Sequence, residues 1–479
     1  MRLSKLEVLT HEEVRLVHGA SLRVLERCGV KVMSDAVLAL LAGHGVQVDR
    51  ETRICKFPPK LVEDCIASAP MQFDLYGRNG QKAMTVGGGT PWCASGHNAV
   101  FCINPGTLER RYATVRDVEE FGIVSQWCEN IEIVGVPLNP MDVPARSTLL
   151  HAAKALLETT TKPLFLSTES CGIVESLLEM LRAAAGQADI GERPNGILQL
   201  SPSSPLFWEA SAAEGVAACA RAGVPLVILP EPMSGVSAPY SVAGLLTEHN
   251  AELLSGLVIA QLARPGTPVI YGSSWTTYDM RASSARIGSP ESTLLRIAGQ
   301  QMAGFYQLPS HTTATNTDSN AHDEHHAWES VLSNLAAMDA GNDIVMNSGM
   351  FAGGLTTSLE QLILDNEVNG IIRRLMRGIR VDADTVAAEV IEQVGPAGNF
   401  LMEDHTLDGL YGDEFYEPTL RLNLQYDSWM ADGAPTVDRV AGRKAEEILT
   451  RGNPVAPAPA LVRRLDEIIR AFEARTDRE

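Results

Sequence analysis

The sequence predicts an α/β protein: a (β/α)8 TIM barrel with an N-terminal α+β extension and C-terminal helices. From about residue 130, short apolar runs alternate with helical patterns, which is typical of parallel strands joined by helices. The chain of 479 residues is also long enough for an elaborated barrel. The eight predicted strands are 131–136, 163–167, 196–200, 225–229, 268–271, 307–312, 343–347 and 399–402.

The elements on either side of the barrel divide the chain into three parts. Thr114 and Asp117 have the spacing of a capping box, which predicts a helix that begins there. Amphipathic patterns at 436–450 and 460–473 predict helices outside the barrel, and they indicate a homo-oligomer. The predicted parts are the N-terminal extension, the barrel and the helical tail, at residues 1–125, 126–410 and 411–479.

The overall composition argues against several kinds of partner. The formal net charge of -20 disfavours binding to nucleic acid or to an anionic membrane surface. No run approaches about 18 consecutive apolar residues, so no membrane span is predicted, and the first residues lack the apolar core of a signal peptide. The eight cysteines include no C-x-x-C pair, which favours reduced thiols in a cytoplasmic enzyme.

Polar and aromatic side chains follow the predicted strands, where the loops of a parallel barrel converge on one mouth. In segment 264–290, a turn and a short apolar strand lead to Gly272, Trp275 and Tyr278. Exposed rings there would favour a cationic or flat ligand, and the alternative is that both rings pack in the core. No nucleophile in the set is paired with a base. The residues expected at the mouth are Asn139, Thr168, Glu169, 201–204, Glu231, Met233, Trp275, Tyr278, Asn316, Asp318, Ser348, Met350, Phe351 and His405.

A histidine cluster occurs in the run A-H-D-E-H-H-A-W-E. His322, His325 and His326 could place two imidazoles on one helical face, as zinc requires, but no third ligand is identified. The alternative is a solvated or hydrogen-bonded cluster. Asp323 and His325 also open the D-x-H-x-x-G signature of corrinoid-carrying domains. Because Trp328 occupies the glycine position, the chain is not expected to be the corrinoid carrier itself.

Several longer motifs point to one family. They are A-G-V-P-L-V-I-L-P-E-P-M-S-G-V-S-A-P, N-A-E-L-L-S-G-L-V-I-A-Q-L-A-R-P-G-T-P-V-I-Y-G-S-S, Y-D-M-R with I-G-S-P-E, G-L-T-T-S-L-E-Q-L-I-L-D-N-E, and E-D-H-T-L-D with E-F-Y-E-P. Between about residues 96 and 429, the sequence resembles the trimethylamine methyltransferase superfamily of corrinoid-dependent methyltransferases. The resemblance implies a (β/α)8 fold. It also implies methyl transfer to the Co(I) form of a corrinoid (cobalamin) on a separate small protein.

One departure from the family pattern concerns the substrate. The trimethylamine enzymes of the family carry pyrrolysine, whereas this sequence contains only the twenty standard residues. The resemblance therefore implies the non-pyrrolysine branch, whose members demethylate quaternary amines such as glycine betaine, proline betaine or carnitine. A quaternary ammonium leaves as a neutral tertiary amine, so neither a general base nor a tightly bound metal is expected. The protein must instead hold the methyl carbon in line between nitrogen and cobalt.

The resemblance gives the mouth residues their expected roles. A box of rings would hold the cation through cation–π attraction, carboxylates would complement its charge, and a histidine would anchor the substrate carboxylate or the corrinoid edge. The ring residues, including two that could close the box, are Trp275, Tyr278, Phe351, Trp92 and Trp328. The charge partners and anchors are Glu231, Asp318, His405 and His97.

Two other functions are compatible with the sequence. The first is a zinc-dependent corrinoid methyltransferase that uses the histidine cluster and acts on a methanol-like or thiol substrate. The second is a non-catalytic betaine-binding or sensor protein that has kept the barrel. An unrelated barrel lyase is disfavoured because no lysine or metal-binding carboxylate set is identified.

Overall fold

The computed structural model describes residues 5–104, 106–107, 109–168, 170–420 and 423–476. Its central sheet has eight strands, and from the second to the eighth each strand pairs in parallel with the next one along the chain. The predicted fold class is therefore confirmed. The strands are β1 (Trp92–Ser95), β2 (Val134–Gly135), β3 (Leu164–Ser167), β4 (Gly196–Leu200), β5 (Leu226–Ile228), β6 (Val269–Ser273), β7 (Ser310–Thr313) and β8 (Ile344–Ser348).

The first strand closes the sheet into a barrel. β1 pairs with β8, where Trp92 lies opposite Ile344, and on its other side Ala94 forms a parallel bridge to Ile133 just before β2. The predicted strand at 399–402 is wrong, since these residues form no strand and are exposed. A short apolar run has the same sequence pattern whether or not it is buried. The strand that replaces it lies inside the segment predicted as the N-terminal extension.

Large apolar side chains fill the barrel because both faces of a parallel sheet are buried. Phe165, Ile197, Val227, Ile270 and Met346 are fully buried in one cluster, each from a different strand. The barrel is therefore a packed core beneath its mouth.

A hairpin of the strands Phe73–Tyr76 and Lys82–Val86 covers the amino-terminal end of the barrel. Tyr76 N donates to Pro194 O (2.8 Å) just before β4, and Gly87 N donates to Asp343 Oδ1 (3.1 Å) just before β8. Because the hairpin closes this end, a ligand can enter the barrel only at the carboxyl ends of the strands.

A helix follows every barrel strand. Thr114 and Asp117 form the predicted capping box at the start of the first of them. No helix in the described part of the chain is both long and apolar enough to cross a membrane. The barrel helices are α1 (Val115–Trp127), α2 (Thr148–Thr159), α3 (Cys171–Ala185), α4 (Ala210–Ala222), α5 (Val242–Ala263), α6 (Pro290–Tyr306), α7 (Glu324–Ala340) and α8 (Leu359–Arg377).

The N-terminal region packs on the outside of the barrel. Its strands Val30–Val32, Gln47–Val48 and Ile54–Lys56 form a small sheet that is joined by Phe207–Trp208 from the loop after β4. Trp208 is fully buried in that contact. The helical segments of this region are His11–Arg23, a π turn at Val24–Cys28, Asp35–Gly43 and Pro59–Ser68.

Short strands in the loops surround the mouth, and helices follow the barrel. The mouth strands are Phe101–Ile103, Arg110–Tyr112, Thr277–Asp279, Ser284–Arg286, Met350–Phe351 and Thr356–Thr357; a short 3-10 helix, Ala145–Ser147, precedes α2. The two helices predicted in the tail are confirmed and pack on the outer helices of the barrel. The helices after α8 are Ala383–Val386, Ala388–Val394, Asp404–Leu410, Tyr426–Ala431, Val437–Arg451 and Pro459–Thr476.

Candidate active site

A cavity of about 320 Å³ lies at the carboxyl ends of the barrel strands. Its walls come from β3, β4, β7 and β8 and from the loops after β1, β4, β5, β6, β7 and β8, so almost the whole barrel contributes to it. The apolar groups in its wall include Trp275, Ile287 and Met350. The polar side chains in its wall are His97, Asn98, Ser167, Gln199, Ser201, Glu231, Ser274, Thr276, Thr313, Asn316 and Asn347.

Glu231 gives this cavity a negative charge. It follows β5, is exposed, and its Oε1 accepts a hydrogen bond from Ser274 Oγ (3.1 Å). Among the described residues that line the cavity, Glu231 has the only carboxyl group, and the lining contains no lysine or arginine. An exposed carboxylate at the mouth attracts a cationic ligand, and the attraction strengthens where the ligand displaces water from the cavity.

Trp275 is both a core residue and a cavity residue. Its side chain is 3% exposed, and it stacks at an angle on the imidazole of His249 on α5, with ring centroids 4.3 Å apart. The indole Nε1 and both ring nitrogens of His249 have no hydrogen-bond partner among the described residues. The sequence predicted either packing in the core or ligand binding for this ring. The structure allows both, because the indole packs on His249 and also lines the cavity.

His97 lines the cavity, and His311 lies in the barrel core on the other side of the Phe165 ring. His97 follows β1, and its ring lies 5.7 Å from that of Phe165, which stacks on His311 of β7 at 5.2 Å. Burial lowers the pKa of His97 to about 4 and is the main cause that lowers the pKa of His311 to about 3. Both imidazoles are thus uncharged at neutral pH and do not oppose the binding of a cation.

Asp318 lies behind the wall of the cavity. Its carboxylate accepts hydrogen bonds from Ile287 N (3.0 Å) and Gly288 N (3.3 Å), and burial raises its pKa. It also faces the buried cation Arg296 of α6. The carboxylate therefore holds the loop that carries Ile287, and Asp318 is not part of the cavity lining.

The rings predicted to form a box are not brought together. Tyr278 lies in the Thr277–Asp279 strand, where its backbone N donates to Ser234 Oγ (3.0 Å), and its side chain does not line the cavity. Phe351 packs away from the cavity against the ring of His322, at 5.2 Å. Of the three box residues, Trp275 alone lines the cavity.

Three further candidates lie outside the mouth. Trp92 is the first residue of β1, at the closed end of the barrel, where its Nε1 donates to Thr85 O (3.0 Å). Trp328 is 62% exposed on α7, and His405 is exposed on the Asp404–Leu410 helix of the region after α8. Glu169, expected at the end of β3, lies outside the described residues.

The predicted histidine cluster is divided between two environments. His325 Nε2 lies 2.9 Å from Glu329 Oε1, while His322 and His326 pack with ring centroids 5.6 Å apart. Burial lowers the pKa of both His322 and His326, to about 4 for the latter. Within the described ranges, no three His, Cys, Asp or Glu side chains come together in a way that could hold a metal ion.

Comparison with known proteins identifies the family. The sequence model of the trimethylamine methyltransferase family matches residues 1–479. The chain belongs to the trimethylamine methyltransferase family. The resemblance expected from the motifs is thereby confirmed.

Known members of the family align with nearly the whole length of this chain. A trimethylamine methyltransferase of Desulfitobacterium hafniense (strain DSM 10664 / DCB-2) is 33% identical over 444 residues, which are 92% of this chain and 89% of that protein. The glycine betaine methyltransferase of Desulfitobacterium hafniense (strain Y51) is 32% identical over 480 residues, 100% and 98% of the two chains. These relatives fit methyl transfer from an amine.

A solved structure supports the fold of the family member. The monomethylamine methyltransferase of Methanosarcina barkeri superimposes with a TM-score of 0.51 over 94% of this chain and 90% of its own. At 13% sequence identity this likeness concerns the fold alone.

Sequence reasoning missed several cavity residues of this trimethylamine methyltransferase family member. Asn98, Gln199 and Asn347 line the cavity, and Arg296 lies directly behind it. Gln199 and Asn347 each interrupt or end an apolar strand run, G-I-L-Q-L and D-I-V-M-N. A polar residue at the carboxyl end of an otherwise apolar barrel strand is a signal that could have identified them. Arg296 carries no comparable signal, because arginine is common on exposed helix surfaces.

Proposed function

We propose that this protein transfers a methyl group from a quaternary amine, of the glycine betaine type, to the Co(I) corrinoid of a separate partner protein. The full-length similarity to a glycine betaine methyltransferase supports the substrate class. The single observation that carries the proposal is that Glu231 has the only carboxyl group among the described lining residues of a cavity whose wall also includes the ring of Trp275.

The cavity chemistry agrees with a permanently charged amine. A quaternary ammonium has no N–H group, so it cannot be recognised by hydrogen-bond acceptors through a proton. It is attracted instead by a carboxylate and by the face of an aromatic ring, the latter worth roughly 0.5–2 kcal/mol. Glu231 and Trp275 supply these two groups from adjacent loops, those after β5 and β6.

In this reaction the protein must bind and align the substrate, and it does not have to transfer a proton. The carbon–nitrogen bond breaks with its electron pair on nitrogen, so the positive charge disappears and a neutral tertiary amine leaves. When bound, the reduced corrinoid supplies the electron pair of the new cobalt–carbon bond and is formally oxidised from Co(I) to Co(III). A neutral imidazole on His97 in the cavity wall is consistent with a step in which no proton moves.

The position of the cavity fits a methyl acceptor that arrives on another protein. The opposite end of the barrel is covered by the Phe73–Tyr76 and Lys82–Val86 hairpin, whereas Glu231 is exposed at the mouth. The Ser284–Arg286 strand beside the mouth is exposed at every residue. The methyl acceptor would therefore approach along the barrel axis and meet the amine at the carboxyl ends of the strands.

An anaerobic methylation assay tests the proposal. The purified protein is mixed with chemically reduced cob(I)alamin and with glycine betaine, proline betaine, carnitine or trimethylamine, and the optical change from Co(I) to methyl-Co(III) is followed. We expect methylation with a quaternary amine and none with trimethylamine. Binding of a betaine without methylation, even with the corrinoid protein of the same organism, would favour a binding or sensor role. If the protein neither binds a betaine nor methylates the corrinoid, the proposal is overturned.

The same assay tests the role of Glu231. Glu231→Gln keeps the hydrogen bond from Ser274 available but removes the charge, and we expect the affinity for the quaternary amine to fall by about tenfold or more. Glu209→Gln is the matched control, because Glu209 is also an exposed glutamate but lies outside the cavity lining. Equal affinities for the two variants would remove Glu231 from the site.

A further inference from the structure

A buried cation lies behind one wall of the cavity. Arg296 on α6 is 2% exposed, and its guanidinium donates to the carbonyl oxygens of Thr313 and Ile287, the latter at 2.8 Å from Nη2. Both acceptors belong to residues that line the cavity. The positive charge is thus held directly behind the β7 side of the mouth.

Arg296 also fixes the direction of a short hydrogen-bond relay. A guanidinium can only donate, so the Asn316 side-chain atom that lies 2.7 Å from Nη2 is the amide oxygen. The amide nitrogen of Asn316 then faces the Ala314 carbonyl at 3.2 Å and the side-chain amide of Asn347 at 2.8 Å. Asn347 must meet that nitrogen with its own amide oxygen.

The relay turns the NH₂ group of Asn347 away from Asn316. With the oxygen of Asn347 turned toward Asn316, its NH₂ group takes the remaining side-chain position. That position is buried, and no described N–H or O–H group donates a hydrogen bond to it. Asn347 is 7% exposed and lines the cavity. A buried donor without a partner costs about 1–3 kcal/mol, so an acceptor on the ligand would be favoured there.

The backbone also positions Asn347. Its φ is +93°, in the positive region that glycine and asparagine occupy most readily, at the carboxyl end of β8. Glu231 follows β5, and β5 and β8 are separated by β6 and β7 on one side of the eight-strand barrel and by four strands on the other. The negative group and the relay therefore face the cavity from widely separated directions.

We propose that Asn347 binds the carboxylate of a zwitterionic substrate, with Arg296 and Asn316 as positioning residues, while the ammonium end faces Glu231. This inference rests on the proposed function and narrows it, because it selects betaines over quaternary amines that carry no carboxylate. The relay supplies a neutral donor whose direction is fixed by Arg296, and the positive charge of Arg296 is offset in part by the nearby Asp318. The cavity is then polarised along the same direction as a betaine.

Calorimetric titration of the apo-protein with glycine betaine, choline and tetramethylammonium tests this inference without any corrinoid. The wild type is expected to bind glycine betaine at least about tenfold more tightly than choline or tetramethylammonium. Asn347→Asp has nearly the same shape and tolerates the same backbone, but it presents a carboxylate. It should lose about tenfold or more of the betaine affinity and keep or gain affinity for the other two cations.

Two further variants make the result decisive. Asn98→Asp places the same charge in the same cavity, on a residue whose φ is also positive at 60°, but outside the relay. It should lower betaine affinity clearly less than Asn347→Asp does. If Asn347→Asp does not fold, Asn347→Gly takes its place in the test. Glycine accepts the backbone conformation and removes the amide, so this variant should lose the preference for betaine.

The outcomes separate this inference from the proposed function. If Asn347→Asp binds betaine as the wild type does, or weakens all three ligands equally, Asn347 is not the carboxylate site. If the wild type binds all three ligands with equal affinity, the inference fails but the quaternary-amine proposal stands. If the wild type binds none of them, both are overturned.

Discussion

Gly299 of α6 lies so close to the indole of Trp275 that a Cβ atom built on it would be 2.4 Å from Cη2. The same Cβ would be 2.4 Å from Ser273 Oγ, at the end of β6. The absence of a side chain at Gly299 therefore allows Trp275 to occupy its place between α5, α6 and the cavity. A contact between a helix and a ring thus determines part of the cavity wall.

Gly299→Ala should displace Trp275. We expect a loss of about 1–3 kcal/mol in the free energy of unfolding, from overpacking, and a weaker affinity for the quaternary amine. Gly304→Ala is the control on the same helix, because a Cβ there meets nothing within 4 Å and alanine favours the helix by about 1 kcal/mol. Chemical denaturation and calorimetric titration measure both effects. If the two variants are equally stable, Gly299 does not constrain the ring.

Trp275→Ala should affect stability and binding together. The ring is 3% exposed and belongs to the main hydrophobic cluster, so its loss should cost about 3–5 kcal/mol of unfolding free energy. It should also weaken substrate binding tenfold or more, or about 1.4 kcal/mol per decade. Tyr278→Ala removes a ring beside the mouth that does not line the cavity, and it should change affinity much less. An unchanged affinity in Trp275→Ala would show that the ring does not contact the ligand.

We expect His249 to stabilise the fold through the packing of its ring and not through its polar atoms. It is fully buried against Trp275, burial lowers its pKa to about 3, and neither ring nitrogen has a partner among the described residues. His249→Phe keeps a ring there and removes the buried polar atoms, so unfolding free energy should be unchanged or about 1 kcal/mol higher. His249→Ala opens a space beside Trp275 and should cost about 2–4 kcal/mol. Equal destabilisation by both substitutions would contradict this account.

Glu252 should make stability depend on pH. It is fully buried on α5, where it accepts from Leu206 N (2.7 Å) and Ser204 Oγ (2.8 Å), and burial raises its pKa from 4.5 to about 7, with a smaller contribution from Glu248. Because the folded-state pKa is the higher one, the protonated form favours folding below about pH 4.5, and this contribution disappears as the pH rises through about 7.

The glutamine in Glu252→Gln stays neutral at every pH, so this variant should not show the loss of unfolding free energy that Glu252 causes as the pH rises. Between pH 5 and pH 8, the wild type should lose on the order of 2 kcal/mol of unfolding free energy relative to the variant. Glu209→Gln, at an exposed position, should follow the wild type. The measurement is urea denaturation at both pH values. A constant difference between wild type and Glu252→Gln would mean that Glu252 does not change its protonation state in this range.

The sequence by itself determined the barrel, most of its strands, the Thr114 capping box and the family. These depend on local periodicity and on motifs that are continuous along the chain. It also placed Glu231 and Trp275 at the mouth, because the residues after a parallel strand are fixed to one end of the barrel. Local pattern did not decide between 399–402 and Trp92–Ser95 as the strand that closes the sheet.

Only the tertiary structure decided which side chains meet in the cavity. Tyr278 and Phe351 follow barrel strands in sequence, but their loops place them outside the cavity lining. His405 follows only the predicted strand at 399–402, which the structure does not contain, and Trp92 begins a strand at the closed end. Arg296 on α6 and Asn347 on β8 are linked only through Asn316, which contacts both of them. Periodicity reports the environment of one element at a time, whereas a site is a contact among several, and that contact is set by packing of the whole barrel.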